Sequence, residues 1–413
     1  MNLDIILSYK KYKNIKIKNN KNNIKIKLNI NNINNINNII TLYNNINKIN
    51  FNFEDNINLL LINKVITQLH NILYKYSNKQ LDYTFNNIDN KSIFIYNELD
   101  KYKNIVMDPN KNQKTYLKYI ESRIPKNYEK KIYNLNETKL FPLTKAVGEA
   151  SIHDSYFVHI YPKKYNSNNK TLFLIGKSVT FDTGGLDLKP SKYMTDMKTD
   201  IIGSAILMSV LNILVYNNID TNYNIHILAP IVENVIGANA TKPGMVIKSM
   251  NNIKIEITNT DAEGRLCIVD AIEYINLYLL NDIDINNCLI LDIATLTGNA
   301  SLITNGISSI VLCNDKGTEY LKKITDIGEN IEEYIDTIKL RNKYVELLKS
   351  PVADIKSVNL NIKSDCIMAG AFLNYFINKN IPWLHLDVAS CTFFNEKPVS
   401  YGINLLYEFI KNL

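Results

Sequence analysis

From about residue 170 onward, short apolar runs alternate with longer stretches of helical spacing. Residues 171–175, 224–230, 288–293, 307–313 and 383–388 have the length and β-branched content of buried strands. Residues 200–216, 365–378 and 401–410 carry apolar side chains at helical spacing, and 318–348 reads as mainly helical. Residues 246–258 read as a hairpin turning at Asn251 and Asn252. This alternation predicts an α/β fold with a mixed central sheet flanked by helices. Strands closing just before Lys177, Thr295 and Ala389 would gather polar motifs along one sheet edge, where α/β proteins keep their chemistry.

The first third of the chain follows a different pattern. Ile15 and Ile17 alternate with Lys16 and Lys18, and Ile24, Ile26 and Leu28 alternate with Lys25 and Lys27, as in half-buried strands. Residues 57–76 have helix-like apolar spacing, and 31–36 form an Asn–Ile repeat. All 14 glycines lie from Gly148 onward. That break in composition predicts a smaller N-terminal α/β domain over 1–135 and a larger domain over 136–413, with the linker near 123–145 around Pro125 and Pro142. A structural or oligomerisation role is expected of the first domain. It lacks aromatic-plus-basic patterning and any helix-turn-helix or zinc signature, so nucleic-acid binding is the lesser reading.

Charge and composition change this picture little. The net charge is +7, but the sequence is saturated with Asn, Ile, Lys and Tyr, as codon bias would produce. The three arginines, Arg123, Arg265 and Arg341, stand out, because lysine supplies nearly all other positive charge. Five scattered cysteines without a C-x-x-C pair fit reduced thiols and a cytoplasmic location. The sequence lacks an uncharged apolar run of about 18 residues and a basic n-region at Met1, so neither a membrane span nor a secretory signal is expected.

Two stretches carry candidate chemistry. Asn259-Thr260-Asp261-Ala262-Glu263-Gly264-Arg265-Leu266 sets two carboxylates two residues apart, between a strand at 254–257 and a helix over 267–280. Residues 176–190 include Lys177, Asp182, the pair Gly184-Gly185 and Lys189, and Asp200 opens the next helix. Asp182, Asp200, Asp261 and Glu263 are oxygen donors suited to a hard divalent cation. The histidines (His70, His153, His159, His226, His385) show no ligand spacing, so any metal site here is carboxylate-based. Taken singly, these residues also read as a turn at Asp182, surface lysines, and acidic caps on the following helix.

Together the two stretches resemble the signatures of the cytosol (leucyl) aminopeptidase family. The octet at 259–266 stands in full, beside the K-x4-D-x6-K-x10-D spacing of Lys177, Asp182, Lys189 and Asp200. Glu233-Asn234, Lys242-Pro243-Gly244 and the segments 292–298, 353–356 and 383–387 also match, so the resemblance runs from about residue 137 to the end. It implies a metal-dependent aminopeptidase acting on peptide N-termini with two divalent ions (Mn²⁺ or Zn²⁺) and bicarbonate. Lys177, Asp182, Asp200 and Glu263 would hold one ion. Asp182, Asp261 and Glu263 would hold the other, with the Asp261 carbonyl. Lys189 would stabilise the oxyanion and Arg265 would anchor the bicarbonate base. Met197, Thr295, Gly298, Ala389 and Thr392 would form the pocket for the first side chain. The resemblance also implies peptide substrates and a homohexamer; some members of that family bind DNA, but the residue pattern here makes a nucleic-acid partner the lesser reading, and no membrane partner is expected.

Ser178, Thr183, Ile202 and the run Ser390-Cys391-Thr392 depart from the family's usual residues, and 281–287 looks long. These departures touch pocket shape more than chemistry. A family fold retained for nucleic-acid binding or scaffolding is the alternative, against which the complete ligand set stands.

Overall fold

A computed structural model describes residues 2–8, 16–20, 23–29, 48–53, 69, 82–86, 90–394 and 397–413. The chain divides into two compact units, Met1–Lys101 and Tyr102–Leu413.

In the first unit, β1 (Asn2–Ser8), β2 (Lys16–Asn20), β3 (Asn23–Asn29), β4 (Lys48–Phe53) and β5 (Asp82–Asn86) form a sheet in the order β2-β3-β1-β4-β5. The Lys/Ile alternation sets its register. Ile17 lies opposite Ile26 and Lys18 opposite Lys25, so β2 and β3 present matching faces. Ile5, Ile49 and Phe51 are fully buried. The expected helix over 57–76 and the repeat at 31–36 lie outside the described residues, apart from Leu69.

Helix α1 (Asn90–Met107) leads into the larger unit. There, α2 (Gln113–Ser122) opens on a reciprocal cap, with Thr115 N–H donating to Asn112 Oδ1 at 3.0 Å and Asn112 N–H to Thr115 Oγ1 at 2.8 Å. Strand β6 (Tyr128–Asn134), α3 (Pro142–Gly148), β7 (Tyr156–Pro162), β8 (Lys170–Gly176) and β9 (Ser178–Asp182) follow. Next come α4 (Ile202–Tyr216), β10 (Tyr223–Asn234), β11 (Val246–Lys248), β12 (Lys254–Glu256) and α5 (Glu263–Tyr274). The remainder is β13 (Cys288–Ala294), α6 (Asn299–Thr304), β14 (Ser309–Cys313), α7 (Thr318–Ile331), β15 (Ile335–Thr337), β16 (Ile355–Lys356), α8 (Asp365–Phe376), β17 (Trp383–Asp387) and α9 (Ile403–Lys411).

The main sheet runs β15-β14-β17-β13-β8-β10-β7-β6, with β9 extending along β10. Strands β17, β13, β8 and β10 are mutually parallel, while β14 and β7 join them antiparallel. The sheet is therefore mixed, as its pattern predicts. Its parallel centre is buried on both faces, which is why β13 and β17 read as mainly apolar runs, with Asp292, His385 and Asp387 as buried exceptions. Helix α4 covers one face. Contrary to the expectation that no apolar run of about 18 residues exists, the stretch Ser191–Tyr216 has the length and hydropathy to cross a membrane; 83% of its apolar window is buried inside the protein, as in a core helix.

The break in composition near 123–145 does not coincide with the division between units. Strand β6 pairs with β7 from Tyr128 opposite Pro162 to Asn134 opposite Tyr156, which ties that segment to the main sheet. The reading of 318–348 as mainly helical also fails in part. Helix α7 ends where Glu332 adopts φ 61°, and Ile335 then joins β14 as a short strand.

Candidate metal centre

Three parallel strands end together. Strand β8 stops at Gly176, where a Cβ would fall 2.5 Å from the Ser204 backbone, so only glycine admits the N-terminus of α4 this close. The next residue, Lys177, donates its N–H to Ile293 O at 3.1 Å. Asp182 closes β9, Asp200 precedes α4, and Glu263 is the first residue of α5. One carboxylate oxygen from each lies within 4.8 Å of the others, and all three residues are buried.

Two lysines thread the cluster. Lys177 Nζ lies 2.7 Å from Asp200 Oδ2 and 2.8 Å from Glu263 Oε1, and it donates to Thr295 O at 3.0 Å. Lys189 Nζ lies 2.7 Å from Asp182 Oδ2 and also contacts Asp261 Oδ1, which brings Asp261 to the cluster's rim. Asp182 Oδ1 accepts from Asn234 Nδ2 at 2.7 Å and from Gly184 N–H at 2.8 Å. Thr295 Oγ1 donates to Asp200 Oδ1 at 2.6 Å. The two sequence stretches are laced together through Thr260, whose Oγ1 donates to Gly184 O and accepts from Asp187 N–H. Asn259 caps the short turn by accepting from Asp261 N–H at 2.8 Å, so Asp261 and Glu263 are free of the capping role the bare sequence allowed them.

The electrostatics reflect crowding. Burial pushes Asp200 up to about 7, with Lys177 pulling down and Glu263 and Asp182 pushing up. Burial, then repulsion from Asp182 and Glu263, also pushes Asp261 up to about 7. Burial raises Asp182 as well, with Glu263 adding to it. Burial works against Glu263 too, but Lys177 and Lys189 outweigh it and hold this carboxyl below its ordinary value. Burial alone would lower Lys177. Asp200, Glu263 and Asp182 reverse that and hold its ammonium well above the usual lysine range.

A divalent cation fits this donor set. Glu263 Oε2 is buried with no hydrogen-bond partner among the described residues, and Asp200 Oδ2 and Asp261 Oδ1 meet only ammonium groups. Four acidic side chains against two lysines leave a net negative, oxygen-rich pocket, the chemistry a hard cation requires.

Arg265 is 1% exposed. Its Nη1 donates to Ser357 O and its Nη2 to Asp365 Oδ1, both at 2.9 Å, while Nε has no partner among the described residues. Of the expected side-chain pocket, Thr295 touches the cluster through Asp200, and Met197 lies in the turn just before Asp200. Gly298 sits ahead of α6 with open space where a Cβ would be, and Ala389 lies beside the small cluster around Ala300 and Cys366. Thr392 is almost fully buried and donates inward to Val388 O. Sequence reasoning gave no role to Asn234 or Asp365. The first stands only within the Glu233-Asn234 match to the family, and the second only as the opening residue of the helix over 365–378.

The family model for the catalytic domain of the cytosol aminopeptidase family matches residues 101–405. A "probable cytosol aminopeptidase" of Protochlamydia amoebophila (strain UWE25) is 36% identical over 285 residues, covering 67% of this chain and 55% of that relative. One from Vesicomyosocius okutanii subsp. Calyptogena okutanii (strain HA) is 36% identical over 248 residues, covering 59% and 49%. The chain thus spans about half the length of the curated relatives it matches. Among solved structures, the bottromycin maturation enzyme BotP in complex with Mn shares the fold, with a TM-score of 0.84 at 18% identity over 100% of this chain and 99% of that one. With its catalytic-domain match running across most of its length, this chain belongs to the cytosol aminopeptidase family.

Proposed function

We propose that this protein is a metal-dependent aminopeptidase that removes N-terminal residues from short peptides. The observation that carries this reading is the buried Asp182–Asp200–Glu263 cluster threaded by Lys177 and Lys189, in a chain of this family. Lys177, Asp182, Asp200 and Glu263 would hold one divalent ion, and Asp182, Asp261 and Glu263, with the Asp261 carbonyl, would hold a second. Mn²⁺ is the first ion to test, because BotP was solved with Mn; Zn²⁺ is the second. When bound, such a pair lowers the pKa of water and polarises the scissile carbonyl.

The chain's own residues supply the rest. Lys177 can act as a ligand only as the neutral amine, so the proton it holds between Asp200 and Glu263 must leave on loading. Lys189, between Asp182 and Asp261, keeps its charge and donates to the carbonyl oxygen as negative charge develops there. Arg265, gripped by Ser357 and Asp365, presents its remaining N–H groups to a bicarbonate ion that serves as base. Met197, Thr295, Gly298, Ala389 and Thr392 shape the pocket for the first side chain. A homohexamer, a cytoplasmic location and a structural role for the N-terminal region complete the proposal.

The test is hydrolysis of a panel of aminoacyl-amides by the full chain with added Mn²⁺ or Zn²⁺. Metal-dependent release of the first residue is expected, with Lys189→Ala binding metal yet losing most of the rate. Metal-loaded protein that cleaves no member of the panel while binding DNA tightly would favour the binding-protein reading instead.

A further inference from the structure

We infer that the end of α5 remote from the metal centre carries a second ligand site, for a free aromatic amino acid. Helix α5 starts at Glu263 and ends at Tyr274, roughly 16 Å further along its axis at about 1.5 Å per residue. It then widens into one π-helical turn, Ile275–Leu279, a geometry that recurs at functional sites. Tyr274 and Tyr278 stand side by side there, ring centroids 5.5 Å apart. Facing them from the sheet are His159 on β7 and His226 on β10, with rings 5.2 Å apart and nearly parallel. Tyr161 lies 5.0 Å from the His159 ring.

These side chains, with Tyr165, Leu279 and Ile283, line a pocket of about 350 Å³ that is open to solvent on one side. That volume lies within the range of small-molecule sites, roughly 300–1,000 Å³. Burial pushes His159 down to about 3 and His226 down to about 4, so both rings are neutral near pH 7 and offer aromatic faces without charge. One proton is shared between His159 Nε2 and His226 Nδ1, 3.0 Å apart. His226 Nε2 is left buried without a partner among the described residues.

The chemistry of the walls selects the ligand. Flat faces on several sides favour a planar ring. Lys131 and Asp282, both exposed, bring one charge of each sign to the lining. A cation alone would meet Lys131 and an anion alone would meet Asp282. A zwitterion with an aromatic body satisfies both. Amino acids are also what the proposed reaction releases; that connection rests on the proposed function, whereas the site itself does not.

The test is isothermal titration of the full chain with L-tryptophan, with a chelator present so that the metal centre does not compete. The controls are L-leucine, tryptamine, which lacks the carboxylate, and indole-3-propionate, which lacks the ammonium. L-Tryptophan is expected to bind once per chain and about tenfold more tightly than each control. Tyr278→Ala, at a residue 46% exposed, should weaken it by about tenfold with an unchanged melting temperature. Lys131→Ala should erase the advantage over tryptamine, and Asp282→Asn the advantage over indole-3-propionate. Lack of binding at millimolar L-tryptophan, equal binding of L-leucine, or indifference to Tyr278→Ala would each overturn the inference. Peptidase assays do not enter these outcomes, so the two readings stand or fall separately.

Discussion

Arg265 Nη2 donates to Asp365 Oδ1 at 2.9 Å across the start of α8, and together with the Nη1 contact to Ser357 O this fixes the guanidinium of a side chain that is sealed in the core. Asp365 is one-third exposed, so its loss should not unfold the protein. A charge-assisted hydrogen bond is worth about 1.5–3 kcal/mol, and its loss would let the guanidinium swing. Asp365→Ala should therefore lower kcat by roughly tenfold to a hundredfold with little change in KM, and lower the melting temperature by several degrees, because the buried Arg265 guanidinium loses its carboxylate. Added bicarbonate should recover part of the loss. A variant with unaltered kcat would remove Asp365 from any positioning role.

The Arg265–Asp365 pair also marks the limit of what the sequence makes legible. The octet is local, so its carboxylates, its glycine and its arginine can be read as a unit. The strands β8, β13 and β17 are readable because buried parallel strands leave short, mainly apolar runs. Asp365 and Ser357 lie about a hundred residues from Arg265, and nothing in their neighbours points back to it. Asn234 holds Asp182 across 52 residues, by way of the pairing of β9 with β10. The ends of elements were lost for a different reason. Glu332 takes a left-handed conformation without the glycine that would announce it, so the stop of α7 left no mark in the composition.

Two glycines near the centre should behave differently. A Cβ on Gly203 would fall 2.2 Å from Ile293 O, a backbone atom that cannot move without disturbing β13. Gly203→Ala should destabilise the protein by about 3 kcal/mol, seen as a lower melting temperature. A Cβ on Gly264 would fall 2.6 Å from Lys177 Cε and 2.9 Å from its Nζ, which Asp200 and Glu263 hold in place. Gly264→Ala should lose less stability than Gly203→Ala, because a side chain can shift where a backbone cannot, but bind Mn²⁺ at least about tenfold more weakly, because the lysine must step aside. Metal titration and a thermal melt on each variant separate the two outcomes.

Asp261 should show stability and metal binding pulling against each other. Burial and repulsion from Asp182 and Glu263 raise its carboxyl to about 7, so ionising it in the metal-free protein is costly. Asp261→Asn should raise the melting temperature of chelator-treated protein at pH 8. Wild type should gain about 2.7 kcal/mol when Mn²⁺ reaches a hundred times its dissociation constant, and the variant should lose most of that gain. Differential scanning fluorimetry with and without Mn²⁺ measures both. An equal Mn²⁺ response in the two proteins would take Asp261 out of the ligand set.

Glu333 predicts a pH dependence that has nothing to do with metal. Its Oε2 accepts from Gly402 N–H at 2.9 Å and Leu405 N–H at 3.2 Å, at the start of α9. Burial pushes this carboxyl up to about 7, and the two N–H groups only partly offset it. In the unfolded chain it titrates near an ordinary glutamate, about 4.3. Below that pH both states are protonated. Between there and pH 7 the folded state keeps a proton that the unfolded state has lost, so stability falls as pH rises. Above pH 7 the loss is complete, on the order of 3 kcal/mol. Glu333→Gln retains a carbonyl oxygen for the two N–H groups and does not titrate. Groups elsewhere contribute equally to both proteins and cancel in the comparison. Urea denaturation should therefore show the variant gaining on wild type between pH 5 and pH 8, and a difference constant with pH would mean that the buried carboxyl ionises as readily as an exposed one.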